Sequence, residues 1–351
     1  MELVSAFQQL ATDERFIQDT KEIIKNKLFY QETSEFFTIV PGIKGGKQVA
    51  AMKGFEYITT KSTGCGGPGI SPDFPAFSQF WKPQLQEIKL NYCYTDFMGY
   101  YTQWALKNGY AIKDLGETEF GMFIQDHVIE AMRLDFQRIV LMADEDIADQ
   151  DILTDEATMA KYYNTIPKGL IPTLQYLKTL PEFADQFVEL EKNSEATKAA
   201  QYALDPTYAL EIFEEVTDQY DFDGDLLLTN NRMFKNYTKW LKRGNGYGIQ
   251  QNIDATKNGV KDAVVDGEKL VPIVNYDRWK GKDFVTAGAV HIPHFALFSR
   301  KEYLQVGVDD IAALEDLRFE YIGGEDETFW IKGNYMLDFK MVNPYAMKAA
   351  L

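Results

Sequence analysis

Residues 87–95, EIKLNYCYT, alternate without a break. Ile88, Leu90, Tyr92 and Tyr94 fall on one side, and Glu87, Lys89, Asn91, Cys93 and Thr95 on the other. A period of two predicts a half-exposed strand. FEYITTK at 55–61 alternates as well, with Phe55 and Tyr57 on one face. The stretch between, 62–83, is rich in Gly, Pro and Ser and carries Phe74, Phe77, Phe80 and Trp81. The pattern predicts a long hairpin with an irregular, aromatic tip.

Helical spacing dominates on either side. Leu3, Phe7, Leu10, Ile17, Ile24 and Leu28 share one side of a predicted amphipathic helix over 2–28, with a restart signal at Thr12. Residues 96–108 read as a helix closed by Asn108-Gly109. Residues 117–144 read as one long helix, with Met122, Ile129, Met132, Phe136 and Ile139 in a stripe.

Further on, 145–200 predicts short helices and 205–244 a helix–strand–helix unit. There Asp205-Pro206 opens the first helix, DLLLTN (225–230) is a short buried strand, and Thr229 or Asn230 caps the second helix. KLVPIVN (269–275), HFALFSRKEYLQVG (294–307) and ETFWIKGNYMLDFKMVN (327–343) read as strands. The fold class expected is α+β, with a middle inserted between a long helix and a tail that share one core.

Composition narrows the function classes. The chain has 351 residues, 45 % of them hydrophobic, enough for a substantial core. Its net charge of -17 repels nucleic-acid phosphates and anionic lipid. The 20 Tyr and 24 Phe suit extensive packing or large interfaces. Two cysteines, Cys65 and Cys93, make no disulfide framework and fit a reducing compartment. The N-terminus lacks the pattern of a signal peptide, and no apolar run approaches the ~20 residues of a membrane span. The expectation is a soluble protein made in a cytoplasm.

Candidate chemistry is sparse. TGCGGPG (63–69) lacks the Lys and the following helix of a phosphate loop, and Cys65 has no His nearby in sequence. A bent loop tip, in which glycines allow close backbone approach, is the preferred reading. His291 and His294 form H-x-x-H around a proline, which excludes the helical zinc presentation. DQYDFDGDLLLTN (218–230) carries Asp221, Asp223 and Gly224 like a calcium loop, but Gln219 and Asn230 stand where Asp and Glu are needed. The acidic run 142–151 reads as a solvated face. His127 reads as an interface or core residue. No catalytic cluster emerges; no enzyme, cofactor or metal is expected.

The order of elements resembles the major capsid proteins of tailed bacteriophages, the Hong-Kong-97-like fold. The resemblance implies an N-terminal arm at 1–35 and an extended hairpin, the E-loop, at 36–95 with TGCGGPGISPDFPAF at its tip. It implies a peripheral domain with the spine helix at 96–144, an axial domain at 145–318, and a return to the peripheral sheet at 319–351. The local texture is similar to capsid proteins of phages infecting Bacteroidetes, including crAss-like phages. RIVLMADEDIADQD, NTIPKGLIPTLQYL, EIFEEVTDQYDFDGDLLLTNNRMFKNY, PHFALFSRKEYLQVG and FWIKGNYMLDFKMVNPYAM carry it.

On this resemblance, copies of the chain form pentamers and hexamers of a head enclosing double-stranded DNA. It is assembled in the host bacterial cytoplasm with a separate scaffolding protein, a portal and decoration or cargo proteins. Phe7, Leu10 and Ile17 of the arm, and Cys65, Gly66, Gly67, Pro68, Phe74, Phe77 and Trp81 of the hairpin, are the expected inter-subunit contacts. The rival readings are an encapsulin-type compartment shell, a minor virion protein, and a soluble metal-dependent enzyme built on 205–320.

Overall fold

A computed structural model gives the structure of the protein, described for residues 36–53, 76–109, 123, 127, 130–218, 222–245, 263–265, 267–308, 318–322 and 328–351. Its first strands are β1 (Thr38–Pro41), β2 (Gln48–Met52), β3 (Ala76–Phe80) and β4 (Gln84–Cys93). Two helices follow, α1 (Tyr94–Lys107) and α2 (Glu130–Met142). Next come α3 (Glu156–Tyr163), α4 (Leu170–Lys178), β5 (Phe187–Val188), α5 (Lys198–Tyr202), α6 (Tyr208–Thr217), β6 (Leu226–Asn230) and α7 (Asn231–Trp240). The remainder is β7 (Ala263–Val265), β8 (Glu268–Ile273), α8 (Tyr276–Asp283), β9 (Val285–Thr286), β10 (Ala289–Val290), β11 (Ala296–Ser299), β12 (Leu304–Val308), β13 (Arg318–Ile322), β14 (Thr328–Met341) and β15 (Met347–Ala350).

Two sheets organise these elements. The first has the order β1-β12-β14-β13, with β4 also paired to β14. The second has the order β5-β15-β11-β6-β8-β7. After β10 the chain passes between them twice. HFALFSRKEYLQVG splits into β11 of the second sheet and β12 of the first, and residues 342–346 lead from β14 of the first to β15 of the second. These crossings lie together, because the Val342 amide donates to the Tyr303 carbonyl at 2.8 Å. Residues 319–351, expected to return to one sheet, therefore serve both.

The second sheet is buried on both faces, and its side chains sort by parity. Leu226, Leu228, Leu297, Met347 and Ala349 face a large core that also holds α2, α4 and the β14 side chains Ile331, Leu337, Phe339 and Met341. Leu227, Ala296, Phe298 and Ala350 face a smaller core closed by α6 and α7. Helices on both sides explain why β6 and β11 read as continuous apolar runs rather than alternating ones. The long helix and the tail do share one core.

The hairpin differs from its sequence reading. β2 pairs antiparallel with β3, Gln48 opposite Phe80 and Met52 opposite Ala76. The alternating stretch 87–95 does not belong to it. β4 instead pairs with β14 over its whole length, Cys93 opposite Thr328 and Gln84 opposite Leu337, and the chain turns helical at Tyr94. Alternation identifies a face that is half buried but not the strand that pairs along the edge. FEYITTK lies outside the described residues.

Of the predicted long helix, the described portion is α2 with Phe123 and His127, also helical, before it. Residues 136–142 are buried on every side, more than a stripe would require. Gly169 makes this enclosure feasible: a Cβ there would lie 2.7 Å from the Val140 carbonyl oxygen. Its amide donates to the Ala143 carbonyl at 2.7 Å, fixing the chain across the end of α2.

Candidate functional site

The β2–β3 hairpin has two unlike faces. Residues paired across an antiparallel ladder share a face, so Val49, Ala51, Phe77 and Gln79 point inward. The Phe77 ring meets Phe183 edge-on at 5.7 Å, and Gln79 donates to the Met341 carbonyl at 3.0 Å. The outward face carries Met52, 67 % exposed, and Phe80, 50 % exposed. The two strands pair only with each other among the described residues. A two-stranded ribbon of this kind is marginal in water without further packing.

At the hairpin's base the chain is locked. Trp81 is 2 % exposed, and Gly307 leaves the room it fills: a Cβ on Gly307 would lie 2.7 Å from the Trp81 ring. The Trp81 amide donates to Lys47 at 2.9 Å, and the Lys82 amide donates to buried Asp338 at 2.8 Å. Trp81, expected to anchor on a neighbouring subunit, is thus spent inside its own chain. Its large apolar ring gains more from the dry site between β12 and the hairpin than from an exposed tip. Phe77 is half buried on Phe183. Phe7, Leu10, Ile17, Cys65, Gly66, Gly67, Pro68 and Phe74 lie outside the described residues.

β4 presents a second open feature. Its only strand partner among the described residues is β14. A groove of about 860 Å³ lies along it, lined by residues 84–90, by Asp135 and Arg138 of α2, and by residues 164–167. Leu85 is 61 % exposed beside it. Arg138 donates to Asp135 and lies 5.0 Å from the Tyr163 ring, but its Nε has no partner, nor has the Thr165 hydroxyl in the same groove. Burial pushes the Asp135 carboxyl up, against the opposing pull of Arg138.

The histidines are held apart in separate polar settings. His291 Nε2 lies 3.1 Å from the Gln175 amide nitrogen. His294 is wholly buried; its Nε2 donates to the Gln201 carbonyl at 2.9 Å. Burial drives both rings toward the neutral form, His291 to about 3 and His294 to about 4. His127 is exposed, with its ring 4.9 Å from Phe123. Of Thr229 and Asn230, the two residues expected to cap α7, Asn230 stands at the N-cap position but makes no side-chain cap bond: its Oδ1 accepts the Phe295 amide at 3.4 Å and its Nδ2 donates to Asp277 at 2.7 Å. Of the calcium-loop residues, Asp225 accepts the Lys301 amide at 2.9 Å, and Gln219 and Asp221 lie outside the described residues. Among the described residues no group of His, Cys, Asp and Glu could hold a metal ion, and no helix is long and apolar enough to cross a membrane.

The acidic run after α2 is no uniform solvated face. Asp144 is buried and accepts from Lys168 at 3.1 Å, from Gln150 at 2.8 Å and from the Asp146 amide at 3.0 Å. One carboxylate thereby ties the end of α2 to the segment entering α4. Charge density alone could not distinguish it from its exposed neighbours.

No sequence family and no curated protein matches the chain. Solved structures do match in shape. A chain from Mycobacterium phage Ogopogo superposes with a TM-score of 0.50 at 11 % identity, covering 91 % of this chain and 91 % of its own. A chain of the satellite phage P4 procapsid gives 0.48 at 11 % identity, covering 95 % and 98 %. A chain from the capsid of a native GTA particle gives 0.47 at 12 % identity, covering 91 % and 90 %. The mixed helix-and-sheet architecture is of the Hong-Kong-97-like type.

Proposed function

We propose that this chain is a major capsid protein, the structural subunit of a phage head whose copies close into pentamers and hexamers around double-stranded DNA. The observation that carries the reading is the fold, matched over nearly the whole chain. In the family that the sequence resembles, it is the fold of the shell subunit. The unlike faces of the hairpin add to it: the inner face packs on its own chain, and the outer offers Met52 and Phe80. A shell subunit must bury surface against several neighbours at once, which favours such half-satisfied projections.

On this reading Phe7, Leu10 and Ile17 of the arm, Cys65, Gly66, Gly67, Pro68 and Phe74 of the hairpin tip, and the exposed part of Phe77 contact adjacent copies. The chain's role is structural rather than catalytic. Its partners are copies of itself, a separate scaffolding protein, a portal and decoration or cargo proteins. It resides in the virion after assembly in the host cytoplasm. The negative charge keeps packaged DNA from adhering to the wall. Kinship with capsid proteins of Bacteroidetes-infecting phages is carried by the sequence texture quoted above.

Negative-stain electron microscopy tests the proposal, on the protein expressed alone and then with the neighbouring genes. Closed shells, or five- and six-fold rings, are expected. A monodisperse monomer under every condition would remove the shell reading. A shell filled with one host enzyme would replace the phage head by a cellular compartment.

A further inference from the structure

Three cations are buried among the described residues, Arg138, Lys280 and Lys340. Arg138 pairs with Asp135, and Lys340 pairs with Asp338 at 3.0 Å. Lys280, 2 % exposed, has no carboxylate within ion-pair distance among the described residues. Its Nζ instead sits 4.0 Å above the Phe284 ring and 5.8 Å from that of Tyr276. A ring face compensates a buried ammonium only in part. Burial accordingly holds the amine's pKa down to about 7.

Beside Lys280 is a void of about 10 Å³, lined by residues from the end of α2, from 144–152, α4 and α8. Its polar lining is Asp144, Gln150, Gln175 and Lys280. That volume is about one water probe, and polar groups converge on it. The other titratable groups nearby are committed. His291 is held neutral by burial, and a charge on Lys280, when that amine is protonated, adds to this. Asp283 accepts the Tyr163 hydroxyl at 2.7 Å and faces Lys282 at 3.9 Å. The Tyr276 hydroxyl donates to the Ile292 carbonyl at 2.8 Å. Asp144 is the carboxylate on the void, and its present cation, Lys168, is near the surface with Asp146 as a second partner at 3.3 Å.

We propose that Asp144 is a two-position switch: it bonds Lys168 while the Lys280 amine is neutral, and turns across the void to Lys280 when that amine takes up a proton. The moving part is the joint after α2. There the Asp144 amide donates to Tyr163 at 3.0 Å, the Glu145 amide to Pro167 at 3.1 Å, and the Gly169 amide to Ala143 at 2.7 Å. Releasing Lys168 from Asp144 leaves only its pair with exposed Asp146 as the side-chain tie across this joint, and loosens it. The sign follows from linkage: the turned state binds the extra proton, so acid favours it and base favours the state seen here. The switch does not rest on the shell reading.

Hydrogen exchange at the amides of Asp144, Glu145 and Gly169 tests it, from about pH 6 to pH 9 and corrected for intrinsic rates. Protection should rise with pH above 7, by up to about tenfold per unit. Lys280→Met and Asp144→Asn, each removing one end of the switch, should flatten that profile. Lys168→Met removes the resting partner and should move the rise to higher pH. The proposal is overturned if Lys280→Met keeps the wild-type profile; should that variant fail to fold, an unchanged profile in Asp144→Asn overturns it equally.

Discussion

The six-stranded sheet and the β2–β3 hairpin are built from the same kinds of residue and reach opposite ends. In the sheet, Leu226, Leu227 and Leu228 are all buried, because α6 and α7 cover one face and the α2–α4 layer covers the other. In the hairpin, alternate residues stay open, and Met52 and Phe80 keep half or more of their surface in contact with solvent. The sheet is satisfied within its own chain. The hairpin has a base that is satisfied, at Trp81 and Gly307, and an outer face that is not. Fold stability and assembly should therefore depend on different residues.

The sharpest way to break that separation is a cavity in the sheet. Leu228→Ala should cost the isolated chain about 3 kcal/mol, since Leu228 is wholly buried in the larger core. Denaturant unfolding of the monomer reads this directly. A cost well under 1 kcal/mol would mean that the core can collapse around the deletion, and that the sheet is less tightly determined than its burial suggests.

A second prediction uses pH on the same region. The folded-state pKa values of His294 and His291 lie below the ordinary 6.5, so the unfolded chain binds the extra protons. Their contribution is fully present above about pH 6.5 and is lost as the pH falls through the folded values, about 4 for His294 and about 3 for His291. The slope is at most about 1.4 kcal/mol per pH unit for each ring. His294→Gln should shallow the acid limb of a stability-versus-pH curve between pH 6.5 and 4 while lowering the plateau, because Gln201 and Asn230 lose a partner. An acid limb of unchanged slope would place the proton uptake on carboxylates.

The same two regions show what the sequence could reveal. The apolar runs of β6 and β11 announce buried strands, and the alternation of β4 announces a half-buried one, because both patterns follow from which faces are covered. Pairing was not legible. Nothing in EIKLNYCYT says that its partner is β14, more than two hundred residues away, rather than the stretch just before it. Ring burial at Trp81 depended on a glycine in β12 that only the folded chain brings near. Asp144 looked like its acidic neighbours until Lys168 and Gln150 were placed around it. Asn230 takes the N-cap position but makes no cap bond for the same reason: the distant Phe295 amide and Asp277 carboxylate engage its side chain. Local pattern fixes local conformation, and long-range polar contacts decide which side chains become special.

The smallest expected effect on the fold is the most telling about function. Met52→Ser with Phe80→Ser changes exposed positions only, so monomer stability should move by less than about 0.5 kcal/mol. If the outer hairpin face is where neighbouring copies meet, the same double variant should raise the concentration needed for assembly or abolish it, as read by sedimentation and electron microscopy. The two apolar side chains would then lose the burial that assembly alone provides, roughly 1.5–3 kcal/mol each when complete. A double variant that assembles like wild type would move the contact away from this face. The β4 groove, with Leu85 exposed beside it, would then be the next surface to mutate.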